Sequence, residues 1–125
     1  MRLRIQRYAL LLASAACGSS TGPSGPVVGV TIQDFSFSPA ALTVKMGTTV
    51  KWTNQGPSAH TATSNTGTWD SRQLNSPTSG GAYGGGSAGG TYQYTFTAAG
   101  TYAYHCSIHP PSVYPGFTGT ITVTP

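Results

Sequence analysis

Apolar and polar side chains alternate one by one in short runs along most of this chain, a period that suits a strand burying one face and no helix. Val28, Val30 and Ile32 start the pattern, and Phe35 and Phe37 extend it until Pro39 interrupts. Leu42 and Val44 alternate with Thr43 and Lys45, and Val50, Trp52 and Asn54 with Lys51 and Thr53. Tyr92, Tyr94 and Phe96 follow, then Tyr102, Tyr104 and Cys106, and finally Ile121 and Val123 between threonines. Turn formers separate the runs at Gly47, at Gln55-Gly56-Pro57-Ser58 and at Ala98-Ala99-Gly100. Seven or eight short strands at this spacing predict an all-β fold, a two-sheet antiparallel sandwich with Greek-key connections.

A chain of 125 residues has room for one domain, which the pattern places at 27–125. Arg2, Arg4 and Arg7 precede the apolar run Tyr8 to Ala16, so residues 1–16 are expected to be a signal peptide, too short to span a bilayer. Leu12-Ala13-Ser14-Ala15-Ala16-Cys17 resembles a bacterial lipoprotein cleavage box, with Ser14 where that box usually has Leu. Cys17 would then carry a lipid, the only expected link to a membrane; the alternative is plain secretory cleavage after Ala15 or Ala16. Residues 17–26 read as a flexible linker, because GSSTGPSGP has nothing with which to build a core. Its mean span is roughly 17 Å, close enough to hold the domain near a membrane surface. Beyond residue 16, Lys45, Lys51 and Arg72 against Asp34 and Asp70 leave a charge of +1, which excludes a basic nucleic-acid surface. The stretch 76–90 is Gly-rich and is expected to be a mobile loop, and Trp69 a core or lid residue.

Chemistry concentrates near the end of the chain, in Tyr102-Ala103-Tyr104-His105-Cys106-Ser107-Ile108-His109-Pro110. A thiol and an imidazole three residues apart at a strand-to-loop junction reach one ion from the same side. One of the three histidines lies outside this stretch, His60, just after another strand-like run. A thiolate with two imidazoles suits copper, or zinc if a fourth ligand is supplied. Trigonal His2Cys with a weak or absent axial donor describes a blue-copper electron-transfer centre. Two cysteines in an exported chain would ordinarily suggest a disulfide, but Cys17 lies at the signal boundary and Cys106 beside histidines.

These stretches, together with Asp34-Phe35-Ser36-Phe37-Ser38-Pro39, Gly47-Thr48-Thr49-Val50-Lys51-Trp52-Thr53-Asn54, His60-Thr61, Gly100-Thr101-Tyr102 and Gly119-Thr120-Ile121-Thr122-Val123, resemble the cupredoxins, particularly the plastocyanin and amicyanin group. The resemblance covers about residues 27 to 125 and implies His60, Cys106 and His109 as the three equatorial ligands of one copper ion cycling between Cu(I) and Cu(II). His105 becomes a bystander facing away from Cys106. One position departs from the pattern: Phe117 stands where such proteins usually place an axial Met, after a loop lengthened by Pro111 to Gly116. The expectation is a centre without a thioether and with a raised potential; Tyr114, a backbone carbonyl or water is the alternative axial donor. Met46, at a turn beyond the Val50 strand, does not substitute.

The implied function is an exported one-electron carrier on the periplasmic or cell-envelope side. It is expected to be a monomer and not an enzyme, docking a redox protein through the apolar patch of Pro110, Pro111, Tyr114 and Phe117 near His109. The competing expectation is a periplasmic module for copper buffering or delivery. The two-copper centre of respiratory oxidase domains is excluded, since the ligand loop has Cys106 alone.

Overall fold

The computed structural model describes residues 25–80 and 83–125. The expected signal peptide, Cys17 and nearly all of the linker lie outside the described residues. Eight strands form: β1 (Val27–Gln33), β2 (Ser36–Ser38), β3 (Ala41–Lys45), β4 (Thr49–Asn54), β5 (Thr63–Ser64), β6 (Thr91–Thr95), β7 (Gly100–His105) and β8 (Thr118–Thr124). They make two four-stranded sheets, ordered β2-β1-β4-β6 and β3-β8-β7-β5.

The sandwich is all-β as the alternation required, but its sheets are mixed, not purely antiparallel. β1 pairs with β4 in parallel, Val30 opposite Trp52, and β3 pairs with β8 in parallel, Leu42 opposite Ile121. Alternation reports only that one face is buried; it is silent on strand direction. Parallel neighbours arise here without helical crossovers because the chain passes through the opposite sheet between them, β3 lying between β1 and β4 in sequence but in the other layer.

The core is the inward set of each run: Val30, Ile32, Phe37, Val44, Val50, Trp52, Phe96, Tyr104, Ile121 and Val123 are all buried. Trp69 is a core residue, not a lid, stacked between Trp52 at 5.5 Å and Tyr94 at 5.4 Å. Gly119 faces Tyr104 across the β7–β8 pair, and a methyl group there would lie 2.2 Å from the tyrosine ring. This glycine gives the buried phenol its space.

Two further expectations change. Phe35 does not continue the alternation into the core: it adopts a left-handed backbone (φ 63°) at the turn between β1 and β2 and is 37% exposed. The Gly-rich stretch is also not featureless. Thr78 N–H donates to Ser87 O at 2.9 Å, and Gly89 lies so close to the Asn54 carbonyl that no side chain fits. Its glycines permit close backbone approach, a use that composition alone does not distinguish from looseness.

The parallel pairing sorts the strand ends. β1 and β4 both begin at one pole, where Thr49 N–H donates to Pro26 O and where exposed Met46 sits in the β3–β4 turn. They end at the other pole with Gln33 and Asn54, which β7 also reaches at His105 and from which β8 departs. The second pole carries the candidate site.

Candidate metal centre

Each ligand candidate leaves the end of a strand. Beyond β4, Asn54 is fully buried and organises the connection to His60: its Nδ2 donates to Ser58 O at 2.8 Å and Leu74 O at 2.9 Å. Its Oδ1 accepts from Gly56 N–H at 3.0 Å. His60 is clamped by backbone bonds to Leu74 in both directions, 3.1 and 2.8 Å, and its side chain is fully buried. Beyond β7, Cys106 is likewise fully buried. His109 follows after one turn and is half-buried.

The three side chains converge. His60 Nδ1 and His109 Nδ1 lie 3.2 Å apart, and Cys106 Sγ lies 4.0 Å from each. Imidazole nitrogen and thiolate sulfur bind a first-row ion such as zinc at about 2.1 and about 2.3 Å. The 3.2 and 4.0 Å separations would let one ion reach all three atoms at those distances. A trigonal array of one soft thiolate and two imidazoles is the donor set of copper electron-transfer sites, so the residues fit one copper ion. His60, Cys106 and His109 form the one such cluster among the described residues.

Partners beyond the cluster set its orientation. His60 Nε2 lies 2.8 Å from Asp34 Oδ1, which assigns the proton to Nε2 and leaves Nδ1 bare toward the cluster. Burial pushes the Asp34 carboxyl up, but hydrogen bonds from His60 and Ser58 outweigh it and hold the group below the usual carboxylate range. Thr61 N–H points at Cys106 Sγ at 3.4 Å. Thr61 Oγ1 accepts from Ser107 N–H at 2.8 Å, which ties the His60 loop to the Cys106 loop.

One side of the cluster is covered by aromatic rings. Phe117 is fully buried, 4.9 Å from the His60 ring. Tyr114 lies edge-on to His109 at 5.3 Å and stacks on Phe35 at 4.2 Å with the planes 8° apart. His105 points out of the cluster, its Nδ1 2.5 Å from Asn65 Oδ1, as a bystander should.

Sequence reasoning brought together His60, Cys106 and His109 but gave no role to Asp34, Asn54, Thr61 or Phe35. A signal for Asp34 existed: it is one of two acids in the chain and sits at the end of a strand. Asn54 and Thr61 carried none, because Leu74 O, Cys106 Sγ and Ser107 N–H, to which they bond, lie 20 or more residues along the chain.

A profile of copper-binding proteins, the plastocyanin/azurin family, matches residues 26–124. The chain belongs to this family. Solved structures agree with a cupredoxin. The purple cupredoxin from Nitrosopumilus maritimus is 25% identical with a TM-score of 0.56, covering 78% of this chain and 99% of that one. An oxidised amicyanin variant is 30% identical with a TM-score of 0.55, covering 78% and 81%. The copper-containing nitrite reductase of Thermus scotoductus SA-01 is 28% identical with a TM-score of 0.59, but this chain spans only 22% of it. No curated protein matches. This cupredoxin is thus a copper-binding electron-transfer protein by family.

Proposed function

We propose that this cupredoxin is an exported one-electron carrier that holds a single type 1 copper on His60, Cys106 and His109 without an axial thioether. The supporting observation is the triangle of donor atoms, 3.2, 4.0 and 4.0 Å on its sides. The copper, when bound, takes up and gives back one electron. The protein keeps the donors fixed, so little reorganisation accompanies the change of charge. Two of the three ligands are fully buried and the third is packed against Tyr114 and Phe35. That enclosure opposes easy release of the metal and favours a carrier over a buffering or delivery module.

The reading of the axial position rests on Phe117, whose ring fills the space beside His60 and offers no donor atom. Met46 sits at the opposite pole. A redox protein is expected to dock over His109; Phe117, expected in that patch, is fully buried, and the surface there is formed by Phe35, Ile108 and Val113, exposed at 37, 44 and 66%, with half-buried Pro110 and Pro111 beside them. With no charged side chain among these five residues, electrostatic steering there is weak. An enzymatic role is not proposed.

The absorption spectrum of the copper-loaded protein tests the assignment. An intense visible thiolate-to-copper band that disappears in Cys106→Ser is expected. A colourless copper complex, or a band that survives the substitution, refutes it.

A further inference from the structure

Asp34 lies directly beside the cluster. Its Oδ1 accepts from His60 Nε2 at 2.8 Å and from Ser58 N–H at 3.2 Å, and its Oδ2 accepts from Ser58 Oγ at 3.1 Å. The turn is shaped to hold it: Phe35 beside it takes the left-handed conformation, and a side chain on Gly56 would press to 2.8 Å from Oδ1. The other charged groups are placed elsewhere. Asp70 lies 3.8 Å from Arg72 on the surface, and Lys45 ends β3 at the opposite pole. Asp34 is therefore the one acid among the described residues bonded to a member of the cluster.

We propose that Asp34 is a positioning and potential-setting residue of the copper centre, an inference that rests on copper being held by His60, Cys106 and His109. It acts in two ways. The hydrogen bond pins His60 in the tautomer whose bare Nδ1 faces the ion, and it fixes the ring's orientation. The carboxylate charge, relayed through the imidazole, favours the more positive oxidised ion over the reduced one. The exchange concerned is one electron arriving from a reduced partner protein or leaving to an oxidised one, with no proton or group transferred. A missing axial donor raises the potential, and Asp34 opposes that rise.

Asp34→Asn isolates the charge. Its amide oxygen can accept from His60 and Ser58 N–H, and its NH2 can donate to Ser58 Oγ, so the hydrogen bonds survive. In the full copper-loaded chain, voltammetry is expected to show an upward shift of midpoint potential with the visible band retained. Competition titration is expected to show at least tenfold weaker Cu(II) binding in Asp34→Ala, the usual scale for losing an outer-shell partner. Nitrogen-15 NMR of the metal-free wild-type chain supplies a readout independent of the ion and of any folding defect: His60 is expected to carry its proton on Nε2. An unchanged or lower potential in Asp34→Asn, with an intact wild-type band, overturns the role of Asp34 and leaves the copper centre standing. A proton on His60 Nδ1 overturns it as well. Absence of the band from the wild-type protein overturns the centre and this assignment together.

Discussion

Asn54 is the residue on which the placement of His60 depends, and its removal gives a test with a calculable size. The side chain is wholly buried and makes three hydrogen bonds, to Ser58 O, Leu74 O and Gly56 N–H. In Asn54→Ala, Leu74 O retains the bond from His60 N–H, whereas Ser58 O and Gly56 N–H lose the side chain that served them. Stranding the buried Gly56 N–H costs about 1–3 kcal/mol, and the bonds to Leu74 O and to half-buried Ser58 O contribute about 1 kcal/mol net each. The sum is about 3–5 kcal/mol, a large fraction of a small domain's stability. With about 4–8 °C lost per kcal/mol in a domain of this size, the melting temperature should fall by about 12–40 °C. Thermal unfolding of the metal-free chain, followed by circular dichroism, measures this without involving copper. Asn54→Asp is the sharper variant, since it keeps the acceptor for Gly56 but turns a carboxylate oxygen toward two carbonyls. It should be at least as unstable as the alanine variant at neutral pH. A fall below about 5 °C in either variant would refute the view that Asn54 holds this loop.

Gly119→Ala should overpack the core by about 1–3 kcal/mol or more, because the new methyl group meets the Tyr104 ring at 2.2 Å. A Tyr104→Leu background should relieve most of that cost in a double-mutant cycle by urea unfolding. Burial pushes the Tyr104 hydroxyl up to about 12, so the native chain holds that proton more tightly than the unfolded chain, whose tyrosines titrate at about 10. The stability this confers is whole below pH about 10 and is lost as pH rises toward 12; Tyr104→Phe should flatten that decline in alkaline unfolding curves. Phe117→Met should lower the reduction potential measured by voltammetry, since a thioether reaching the ion stabilises Cu(II). An unchanged or higher potential would show that Phe117 does not occupy the axial position.

What could be read from the sequence was whatever period and spacing encode. The inward positions from Val28 through Val123 followed from alternation alone, and Cys106 with His109 followed from their separation by one turn. Phe35 escaped because a left-handed turn residue leaves no mark when the residue is a phenylalanine and not a glycine. The parallel pairings escaped because direction has no period. Asp34, Asn54 and Thr61 escaped for a third reason. Each makes at least one bond to a group 20 or more residues away, and bonds of that span leave no periodic pattern in the chain.

The mixed sheets explain why the site can be both rigid and accessible. Because β1 and β4 run the same way, the acid that orients His60 and the asparagine that holds its loop leave neighbouring strands at the same pole. The antiparallel β7–β8 pair brings Cys106 and Phe117 to that pole from the other sheet. The donors are thus fixed by four strand ends from both layers, and a change of charge at the ion meets a frame that has nowhere to relax. Access runs the other way: His109, outside any strand and half-buried, is the one ligand candidate lying next to exposed Ile108 and below the Phe35–Tyr114 stack. Electrons should therefore pass through the ligand that the strands hold least. Phe35→Ala, which removes a ring edge-on to His109 at 5.3 Å and to His60 at 6.2 Å but replaces no ligand candidate, should alter partner exchange rates more than it alters the visible spectrum; the reverse ranking in stopped-flow and absorption measurements would place the exit elsewhere.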